Sequence, residues 1–472
     1  MIADLKPYPE YKESGLPWLG QVPRHWTVRR AKSIFQRIDE RSKYGREELL
    51  TVSSARGVVP RKTANVTMFK AESYLGYKLC WPGDLVINSL WAWAGGLGVS
   101  RHHGIISSAY GVYRIRKDAP MTPAFVHEVV RSSSFSWELR VRSKGVWISR
   151  LQLTDISFLD APMHIPRPDE QAAIVRFLDW VSARLDRAIR AKRKVIALLN
   201  EQKQAIVHRV VTRGLDHAVP LRPSGVPWLG DIPRHWEVRA LKGVCKIQSG
   251  ITLGKDYGGQ ATHEYPYLRV ANVQAGHANL TVVKTIRVTK AEAVRCTLQA
   301  GDVLMTEGGD PDKLGRGCVW NAQVAPCLHQ NHVFAVRPNQ SQLEPLFLSA
   351  LMGTRYARAY FESTAKQTTN LASTNKTKIG QFQVLLPHVD EQRRILMGLN
   401  KETDPVNITV SRLEREIDFL REYRTRLVAD VVTGKLDVRE AAARLPMEAP
   451  TDIGEDAADA NIDPETGEEE AA

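Results

Sequence analysis

Two long stretches of the chain place apolar residues at intervals of three and four, which is the spacing of a helix that packs on another helix. In the first stretch, residues 169–213, one heptad position is filled by Leu178, Leu185, Leu199 and Ile206, with Lys192 as the exception. In the second, residues 390–432, the equivalent position is filled by Leu399, Val406, Leu413, Leu420 and Leu427. The pattern predicts two helices of roughly 60 Å, at ~1.5 Å per residue, that bury their stripes on each other as an antiparallel pair.

The ends of both stretches carry start and stop signals. Pro166 and Pro168 precede the first stretch, and Pro387 precedes the second. Gly214 and Gly434 stand where a helix C-cap would fall. Pro405 interrupts the second stretch, so we expect that helix to be kinked there or to begin late.

The segments between these stretches alternate short β-branched runs with Gly and Asp turns. Strands are predicted at residues 84–88, 111–115, 281–283 and 332–336, and helices at residues 123–133 and 345–362. These patterns predict an α+β protein, in which two α/β domains are joined by two long antiparallel coiled-coil helices.

The chain also repeats itself. Residues 14–29 read SGLPWLGQVPRHWTVR and residues 224–239 read SGVPWLGDIPRHWEVR, with twelve of sixteen positions identical. At an offset of 221, seven further residues recur, among them the run Asp169-Glu170-Gln171 as Asp390-Glu391-Gln392. The intervening residues match poorly. A repeated frame around two different inserts predicts a pseudo-twofold repeat that presents two different surfaces.

The repeat gives the predicted domain bounds. We expect an entry segment, a variable domain and a helical segment, then the same three parts again and an acidic tail. The bounds are 1–26, 27–165, 166–216, 217–236, 237–386, 387–438 and 439–472.

Charge is distributed unevenly. The net charge is +13, but residues 447–472 hold ten acids and no Lys or Arg, so the remaining chain carries +23. A body this basic favours a polyanionic partner, because Lys and Arg that neutralise phosphates supply much of nucleic-acid affinity. The tail composition is typical of disorder.

No segment predicts export or a membrane span. No run of eighteen apolar residues occurs, and residues 1–10 lack an apolar signal core. The five cysteines form no CxxC pair. Scattered thiols in odd number fit a reducing cytoplasm, so a cytoplasmic location is expected.

Catalytic signatures are scarce. The sequence contains no GxxxxGK[ST] loop, G-x-S-x-G elbow or HExxH motif. His102 and His103 are adjacent, which suits opposite faces of a strand better than shared metal ligation. Residues 306–316 combine acids and glycines, and we interpret them as a Gly-rich turn rather than a metal loop. No catalytic residue and no metal site are predicted.

The frame resembles the specificity subunit of type I restriction–modification enzymes. Gly-Leu/Val-Pro-Trp-Leu-Gly-x-Val/Ile-Pro-x-His-Trp opens each copy, and Pro-x-x-Asp-Glu-Gln followed by a long helix closes it. The resemblance covers residues 11 to about 438.

The resemblance implies a non-catalytic protein. Each variable domain would be a target-recognition domain that reads one half of a bipartite site in double-stranded DNA, and the helices would set the gap. Two modification subunits would carry S-adenosylmethionine chemistry, and restriction subunits would use ATP and Mg; this chain itself would need no cofactor.

Candidate DNA-binding residues are basic or amide side chains outside the frame, because Lys and Arg position phosphates while donors and acceptors distinguish base edges. They are Arg56, Lys62, Arg142, Lys144 and Arg150 in the first domain, and Lys255, Lys313, Arg316, Lys366, Gln367 and Asn370 in the second. Trp91 and Trp93 are expected in the core rather than against DNA. The frame residues Trp18, Trp26, Trp228, Trp236, His25 and His235 are expected to serve packing.

Two other classes of function stay open at this point. One is a self-contained DNA methyltransferase or nuclease with a duplicated recognition module, for which the repeated frame leaves little room. The other is a protein-binding scaffold, whose binding would not fall steeply with salt as DNA binding does.

Overall fold

The computed structural model describes residues 5–16, 19–64, 73–145, 151–309, 315, 317–367 and 372–446, with backbone only for Gly309 and Gln367. Strands in the first half of the chain are short. They are β1 (Tyr11–Glu13), β2 (Gln21–Pro23), β3 (Thr27–Arg30), β4 (Phe35–Ile38), β5 (Leu50–Ser53), β6 (Gly57–Pro60), β7 (Lys78–Cys80), β8 (Leu85–Ile87), β9 (Leu97–Val99), β10 (Gly104–Ile106), β11 (Gly111–Ile115) and β12 (Pro162–Ile165).

The second half has the same character. Its strands are β13 (Leu221–Pro223), β14 (Asp231–Pro233), β15 (Glu237–Ala240), β16 (Cys245–Ser249), β17 (Thr262–Leu268), β18 (Lys284–Thr289), β19 (Val303–Thr306), β20 (Gly308–Gly309), β21 (Gly317–Val319), β22 (Leu328–His329), β23 (Val333–Pro338), β24 (Lys366–Gln367), β25 (Ala372–Ser373) and β26 (Gln383–Leu386).

Two α-helices are far longer than the others. The helices are α1 (Pro123–Arg131), α2 (Ser133–Arg142), α3 (Asp155–Leu159), α4 (Pro168–Arg213), α5 (Lys290–Cys296), α6 (Pro345–Met352), α7 (Arg355–Thr364), α8 (Lys376–Gln381), α9 (Val389–Val432) and α10 (Arg439–Ala443). The two long helices begin one residue before the predicted stretches and end where those stretches end.

The chain forms two compact units, and the division falls inside both long helices. Unit 1 comprises Met1–Lys192 and Arg415–Ala472, and unit 2 comprises Arg193–Glu414. Each unit therefore contains one variable domain together with part of α4 and part of α9.

Unit 1 is built on an antiparallel sheet with strand order β4-β11-β8-β9. Its largest apolar cluster joins α1 and α2 to one end of each long helix. Members include Phe125, Phe135, Ile174, Phe177, Leu178, Leu185, Leu427 and Val431. The variable domain begins and ends on a strand pair, because β3 pairs with β12.

Unit 2 repeats this plan in its own residues. Its antiparallel sheet has the order β16-β23-β19-β21, and β15 pairs with β26. Its main cluster includes Phe347, Tyr356, Phe361 and Phe382 together with Val210, Val211, Ile395 and Leu399 from the long helices. Strands β17, β18 and β22 add a second sheet.

Within each unit the segments of α4 and α9 contact each other. In unit 1, Lys192 Nζ lies 2.5 Å from Glu416 Oε2, and Asp186 pairs with Arg424. The two segments therefore run antiparallel, and the polar exception in the heptad has a carboxylate partner. In unit 2, Arg209 pairs with Glu402.

The predicted seam residues differ in burial. Leu178, Leu185 and Leu427 are buried, and Leu420 packs partly buried against the same cluster. Ile206 packs partly buried against the cluster of unit 2, whereas Leu199 and Leu413, nearer the division between the units, are half-buried. The stripe is thus most deeply buried toward the variable domains.

Three expectations need correction. The helix α9 is not delayed by Pro405, which lies inside it, because packing of Ile395 and Leu399 holds the turns before the proline. Residues 123–133 and 345–362 are each divided between two helices; Ser132 and Thr354 cap the second of each pair by accepting a backbone N–H.

The strand predicted at residues 281–283 is wrong. This segment is a turn, and the next strand begins at Lys284. The Asn272 side chain donates to the carbonyls of Asn279 and Val282 at 2.8 and 2.9 Å, so the backbone there is satisfied without a strand partner. Local side-chain hydrogen bonds outweigh the β-branched composition.

Candidate nucleic-acid interface

The repeated frame supplies internal contacts that lock each variable domain to the long helices. In unit 1, His25 Nε2 lies 2.8 Å from a carboxylate oxygen of Glu170, on the first turn of α4. The adjacent Trp26 is fully buried and lies against Gly434, just beyond α9. The frame therefore joins the start of one long helix to the end of the other.

Gln171 makes a second lock in unit 1. It is fully buried, its Oε1 accepts from the Thr122 N–H at 2.8 Å, and its Nε2 donates to the carbonyls of Pro120 and Pro166 at 2.7 and 3.0 Å. One amide thus joins the loop before α1 to the start of α4.

The same side chains make equivalent contacts in unit 2. His235 Nε2 lies 3.0 Å from Glu391, and Trp236 is buried beside Gly214. Gln392 accepts from the Glu344 N–H and donates to the carbonyls of Gln342 and Pro387, each at 2.8 Å. These residues recur in sequence because their contacts recur.

A buried ion pair is also common to both units. Asp84 precedes β8 and accepts two hydrogen bonds from Arg114 at 2.8 and 2.9 Å, and Asp302 precedes β19 and accepts two from Arg337 at 2.6 and 2.7 Å. Both carboxylates also accept a turn N–H. Bonding to Asp84 raises the pKa of Arg114 above its usual value.

One repeated residue does not serve packing as expected. Trp228 is 58% exposed and adopts a φ of 63°, which is unusual for a bulky side chain. Its counterpart Trp18 lies outside the described residues. Trp228 therefore fits the expectation that frame residues serve packing less well than the buried Trp26 and Trp236 do.

The loop edge of unit 1 consists of residues 54–64, residues 89–97 and the bridge between Lys144 and Gln152. Three predicted DNA-binding residues lie here. Arg56 is exposed and donates to the Thr63 carbonyl at 2.5 Å, and Lys62 is 76% exposed and pairs with Glu48 at 2.7 Å. Lys144 is exposed beside the bridge.

Arg131 organises this edge, although the sequence did not single it out. Its guanidinium donates to the carbonyls of Ser54, Ala55 and Leu97 at 2.7–2.8 Å. It therefore ties the turn that carries Arg56 to the segment 89–97. The sequence offered one sign of this role: Arg131 is the last residue of α1, and the other inward-facing positions of that helix are apolar.

Trp91 and Trp93 occupy the same segment. Their rings are stacked, with centroids 5.9 Å apart, and both are half-buried. The Trp93 indole donates to the Leu90 carbonyl at 3.0 Å. The expectation that they belong to the core is met only in part.

Arg142 has a different setting from the other candidates of unit 1. Its guanidinium is 23% exposed and pairs with Glu138 at 2.5 Å and Asp160 at 3.3 Å. The structure does not bring it to the loop edge. Arg150 lies outside the described residues.

The loop edge of unit 2 is the small sheet β20-β25-β24. Gly309 pairs with Ala372, and Lys366 pairs with Ser373. The segment interpreted as a Gly-rich turn and the predicted DNA-binding stretch that begins at Lys366 therefore meet in one sheet, through residues 308–309 and 366–367. Lys366 is exposed. The side chains of Lys313, Arg316, Gln367 and Asn370 are outside the described part of the chain.

Lys255 lies apart from that sheet, in a polar cluster around Glu292. Lys255 and Arg295 each approach the Glu292 carboxylate at 3.1 Å, and the Tyr257 hydroxyl donates to it at 2.7 Å. Burial raises the pKa of Glu292, but these hydrogen bonds outweigh it and hold the pKa below its usual value. Lys255 remains half exposed at the rim of an open pocket.

No metal centre is assembled in the residues that the structure describes. They include no group of three His, Cys, Asp or Glu side chains placed to hold a metal ion. All five thiols are free, and burial raises the pKa of Cys80, Cys245 and Cys327 to about 12. No described helix is long and apolar enough to cross a membrane.

A common frame that holds two dissimilar loop edges defines a duplicated recognition scaffold. Residues 233–417 match the family model described as "Type I restriction modification DNA specificity domain". This part of the chain is therefore similar to the DNA specificity domain of type I restriction–modification systems.

Two curated relatives carry corresponding names. The putative type I restriction enzyme MjaX specificity subunit of Methanocaldococcus jannaschii is 25% identical over 209 residues, covering 43% of this chain and 47% of that protein. The type I restriction enzyme EcoKI specificity subunit of Escherichia coli is 23% identical over 323 residues, covering 67% of this chain and 66% of that protein. The matches span about half to two thirds of these relatives.

A solved structure shares the fold. It is described as "Structural basis underlying complex assembly and conformational transition of the type I R-M system". It aligns with a TM-score of 0.57 and 18% identity, covering 88% of this chain and 99% of that one.

Proposed function

We propose that this chain is the DNA-specificity subunit of a type I restriction–modification enzyme, with no catalytic centre of its own. Each loop edge binds one half of a bipartite site in double-stranded DNA. The observation that carries the proposal is the contrast within each unit. The His–Glu contact and the Gln amide contacts of the frame recur in both units, whereas the loop edges are built from different residues and different secondary structure.

DNA contacts are proposed at the loop edges. In unit 1 the exposed cations Arg56, Lys62 and Lys144 hold phosphates, with the stacked pair Trp91 and Trp93 beside them. In unit 2 the small sheet presents Lys366, and Lys313, Arg316, Gln367 and Asn370 are proposed as further DNA contacts. Arg142, Arg150 and Lys255 are retained as weaker candidates.

The long helices are proposed to act as the spacer. They form one antiparallel coiled-coil segment in each unit, in keeping with the pseudo-twofold internal repeat of the sequence. The ion pairs between α4 and α9 support the antiparallel arrangement, because residue numbers rise along α4 as those of the partners fall along α9. Half-sites must be read at a fixed separation along the duplex, which requires a stiff connector.

Catalysis is proposed to reside in partners. Two modification subunits supply methyl transfer from S-adenosylmethionine, and restriction subunits supply ATP- and Mg-dependent cleavage. The exposed Trp228 suits partner contact, because it is part of the repeated frame and yet makes no buried core contact. Because the sequence carries a tryptophan at this frame position in both copies, the position suits a partner that binds once per copy.

A domain exchange tests the assignment. Residues 27–165 are replaced by the equivalent domain of another specificity subunit, and adenine methylation is mapped across host DNA with the matching modification subunit. One half-site is expected to change while the other half-site and the gap are retained. A change in both half-sites, or methylation that does not depend on this chain, would overturn the proposal.

A point variant tests the edge of unit 2. For Lys366→Gln we expect weaker binding to all duplexes, and a salt slope smaller by about one phosphate contact. Lys401→Gln, an exposed lysine on α9, is the matched control and should change neither quantity. DNA binding that does not depend on salt would favour the protein-binding scaffold instead.

A further inference from the structure

A row of cations lies on α4 opposite its buried seam. The row consists of Arg176, Arg184, Arg187 and Arg190. Their spacings of eight, three and three residues place them on one side of the helix. This basic stripe falls within unit 1. The first three residues are exposed and Arg190 is half-buried.

Few carboxylates balance the stripe. Asp186, on the same helix, is paired with Arg424. Arg184 rests over the Trp180 ring at 4.9 Å from its centroid, and in the described part of unit 1 neither Arg187 nor Arg190 forms an ion pair. Asp179, at the edge of the stripe, is the remaining acid of this stretch. The stripe therefore presents uncompensated positive charge.

The last described residues of the chain meet one end of this stripe. Arg176 donates to the carbonyls of Leu445 and Pro446 at 2.7 and 3.1 Å. Leu445 is 5% exposed and packs in the main cluster of unit 1. The chain is thus fixed beside the stripe at the residue before the acidic tail begins.

The tail has the complementary charge and sufficient length. Its 26 residues can extend to about 85 Å, whereas the stripe from Arg176 to Arg190 rises about 21 Å along the helix. Its ten acids have no basic residue among them; they are Glu448, Asp452, Glu455, Asp456, Asp459, Asp463, Glu465, Glu468, Glu469 and Glu470.

We propose that the acidic segment 447–472 docks on the basic stripe of α4 within its own chain. Tethering at Pro446 gives the tail a high effective concentration at the stripe. The docked tail covers a cationic face that would otherwise attract any polyanion. The consequence for DNA rests on the proposed function: nonspecific duplex is kept off the spacer and left to the loop edges.

The test uses the full chain with all ten tail acids replaced by their amides, which frees the stripe. A fluorescent peptide of sequence 447–472 is then added in trans and its anisotropy is followed. The peptide is expected to bind. Its affinity should fall by about tenfold or more when salt is raised from 50 to 200 mM, as for other multivalent charge contacts.

Variants of the stripe locate the docking site. In the same background, Arg184→Gln, Arg187→Gln and Arg190→Gln together should weaken peptide binding at least tenfold. Replacement of the same three residues by Lys should retain it. Lys12→Gln, Lys32→Gln and Lys117→Gln remove equal charge from exposed positions elsewhere in unit 1 and should leave it within twofold.

The proposal fails if the peptide does not bind, or if the stripe and control variants weaken it equally, since net charge alone would then explain the effect. It also fails if nonspecific duplex binds the stripe and the peptide cannot displace it. None of these results bears on which half-sites are methylated, so the proposed function is tested separately.

Discussion

At the scale of single residues, the polar side chains of the frame are used for positioning. The side-chain amides of Gln171 and Gln392 each hydrogen-bond to backbone groups through both the oxygen and the nitrogen. Asp84 and Asp302 each bind an arginine and accept a backbone N–H from a turn. Such buried groups are costly to leave unpaired, which explains why these positions tolerate little change between the two copies.

Asp84→Asn should destabilise unit 1 by about 2–4 kcal/mol, because it removes the charge that faces the Arg114 guanidinium in a buried site. The free energy of unfolding in urea measures this. Asp39→Asn breaks an exposed pair with Arg41 and should cost far less stability than Asp84→Asn, because solvent screens the exposed pair. Equal costs for the two variants would show that the burial of Asp84 is unimportant.

His164 should make the stability of unit 1 sensitive to acid. It is 1% exposed and stacks on Trp26, with ring centroids 5.4 Å apart, and burial lowers its pKa to about 4. In the unfolded chain the imidazole takes up a proton below its ordinary pKa of about 6.5, so stability falls as the pH drops from there toward 4.

His164→Phe should reduce the loss of stability between pH 7.5 and pH 5.0 by about 2 kcal/mol, since the variant has no imidazole to protonate. Unfolding in urea at both pH values measures the difference. His217→Phe, at an exposed position, is the control and should leave the pH dependence unchanged. An unchanged profile for His164→Phe would show that another group carries the acid sensitivity.

At the scale of elements, the ends of the long helices matter more than their middles. Gly214 and Gly434 follow α4 and α9 with φ of 77° and 78°, and each lies against a frame tryptophan. The left-handed residue stops the helix, and the absence of a side chain admits the indole. Each glycine therefore ends its long helix and leaves room for a tryptophan of the repeated frame.

Gly434→Ala should destabilise unit 1 by at least about 2 kcal/mol, from left-handed strain together with crowding. An added Cβ would lie 2.4 Å from Pro23 Cδ and 3.0 Å from the Trp26 ring. Gly20→Ala has a φ of 62° with no atom within 4 Å, and should cost only about 1 kcal/mol. Thermal unfolding followed for both variants separates strain from crowding.

At the scale of the whole molecule, both long helices pass from one unit into the other. If they act as the spacer, their stiffness sets how strictly the gap between half-sites is read. A flexible break should relax that discrimination, because a Gly/Ser segment samples many end-to-end distances.

Insertion of Gly-Ser-Gly-Ser after Lys192 and again after Glu414 should make binding nearly independent of the gap, at an overall cost of tenfold or more in affinity for the native spacing. Duplexes whose half-sites are separated by different numbers of base pairs measure this in the presence of the modification subunit. Insertion of the same segment in the exposed turn after Asp216 is the control. Unaltered gap discrimination would contradict a spacer role.

Much of the architecture follows from local sequence. The heptad pattern, the prolines before Asp169 and Asp390 and the glycines after each helix located α4 and α9 to within one residue. These features act over a few residues along the chain, so a linear pattern is sufficient to predict them. The duplication was also visible in the sequence, because contacts that recur in both units are made by the same residue types. The repeated residues then indicated the family resemblance.

The loop edges could not be predicted in the same way. Arg142 looked as available as Lys144, yet it is paired with Glu138 and Asp160, and Arg131 was overlooked although it holds three carbonyls. Which cation faces solvent and which is used internally depends on residues distant in sequence. Trp26 and Trp228 illustrate the same point, because both are tryptophans of the repeated frame, yet Trp26 is fully buried and Trp228 is 58% exposed.

The sequence by itself determined the two long helices, their ends and the repeat, because capping and heptad spacing are local. The tertiary structure alone decided which polar groups meet. Only folding brings Glu170 to His25, joins residues 308–309 and 366–367 in one sheet, and places the start of the acidic tail beside Arg176. Those contacts depend on distances across the fold, which periodicity along a chain does not specify.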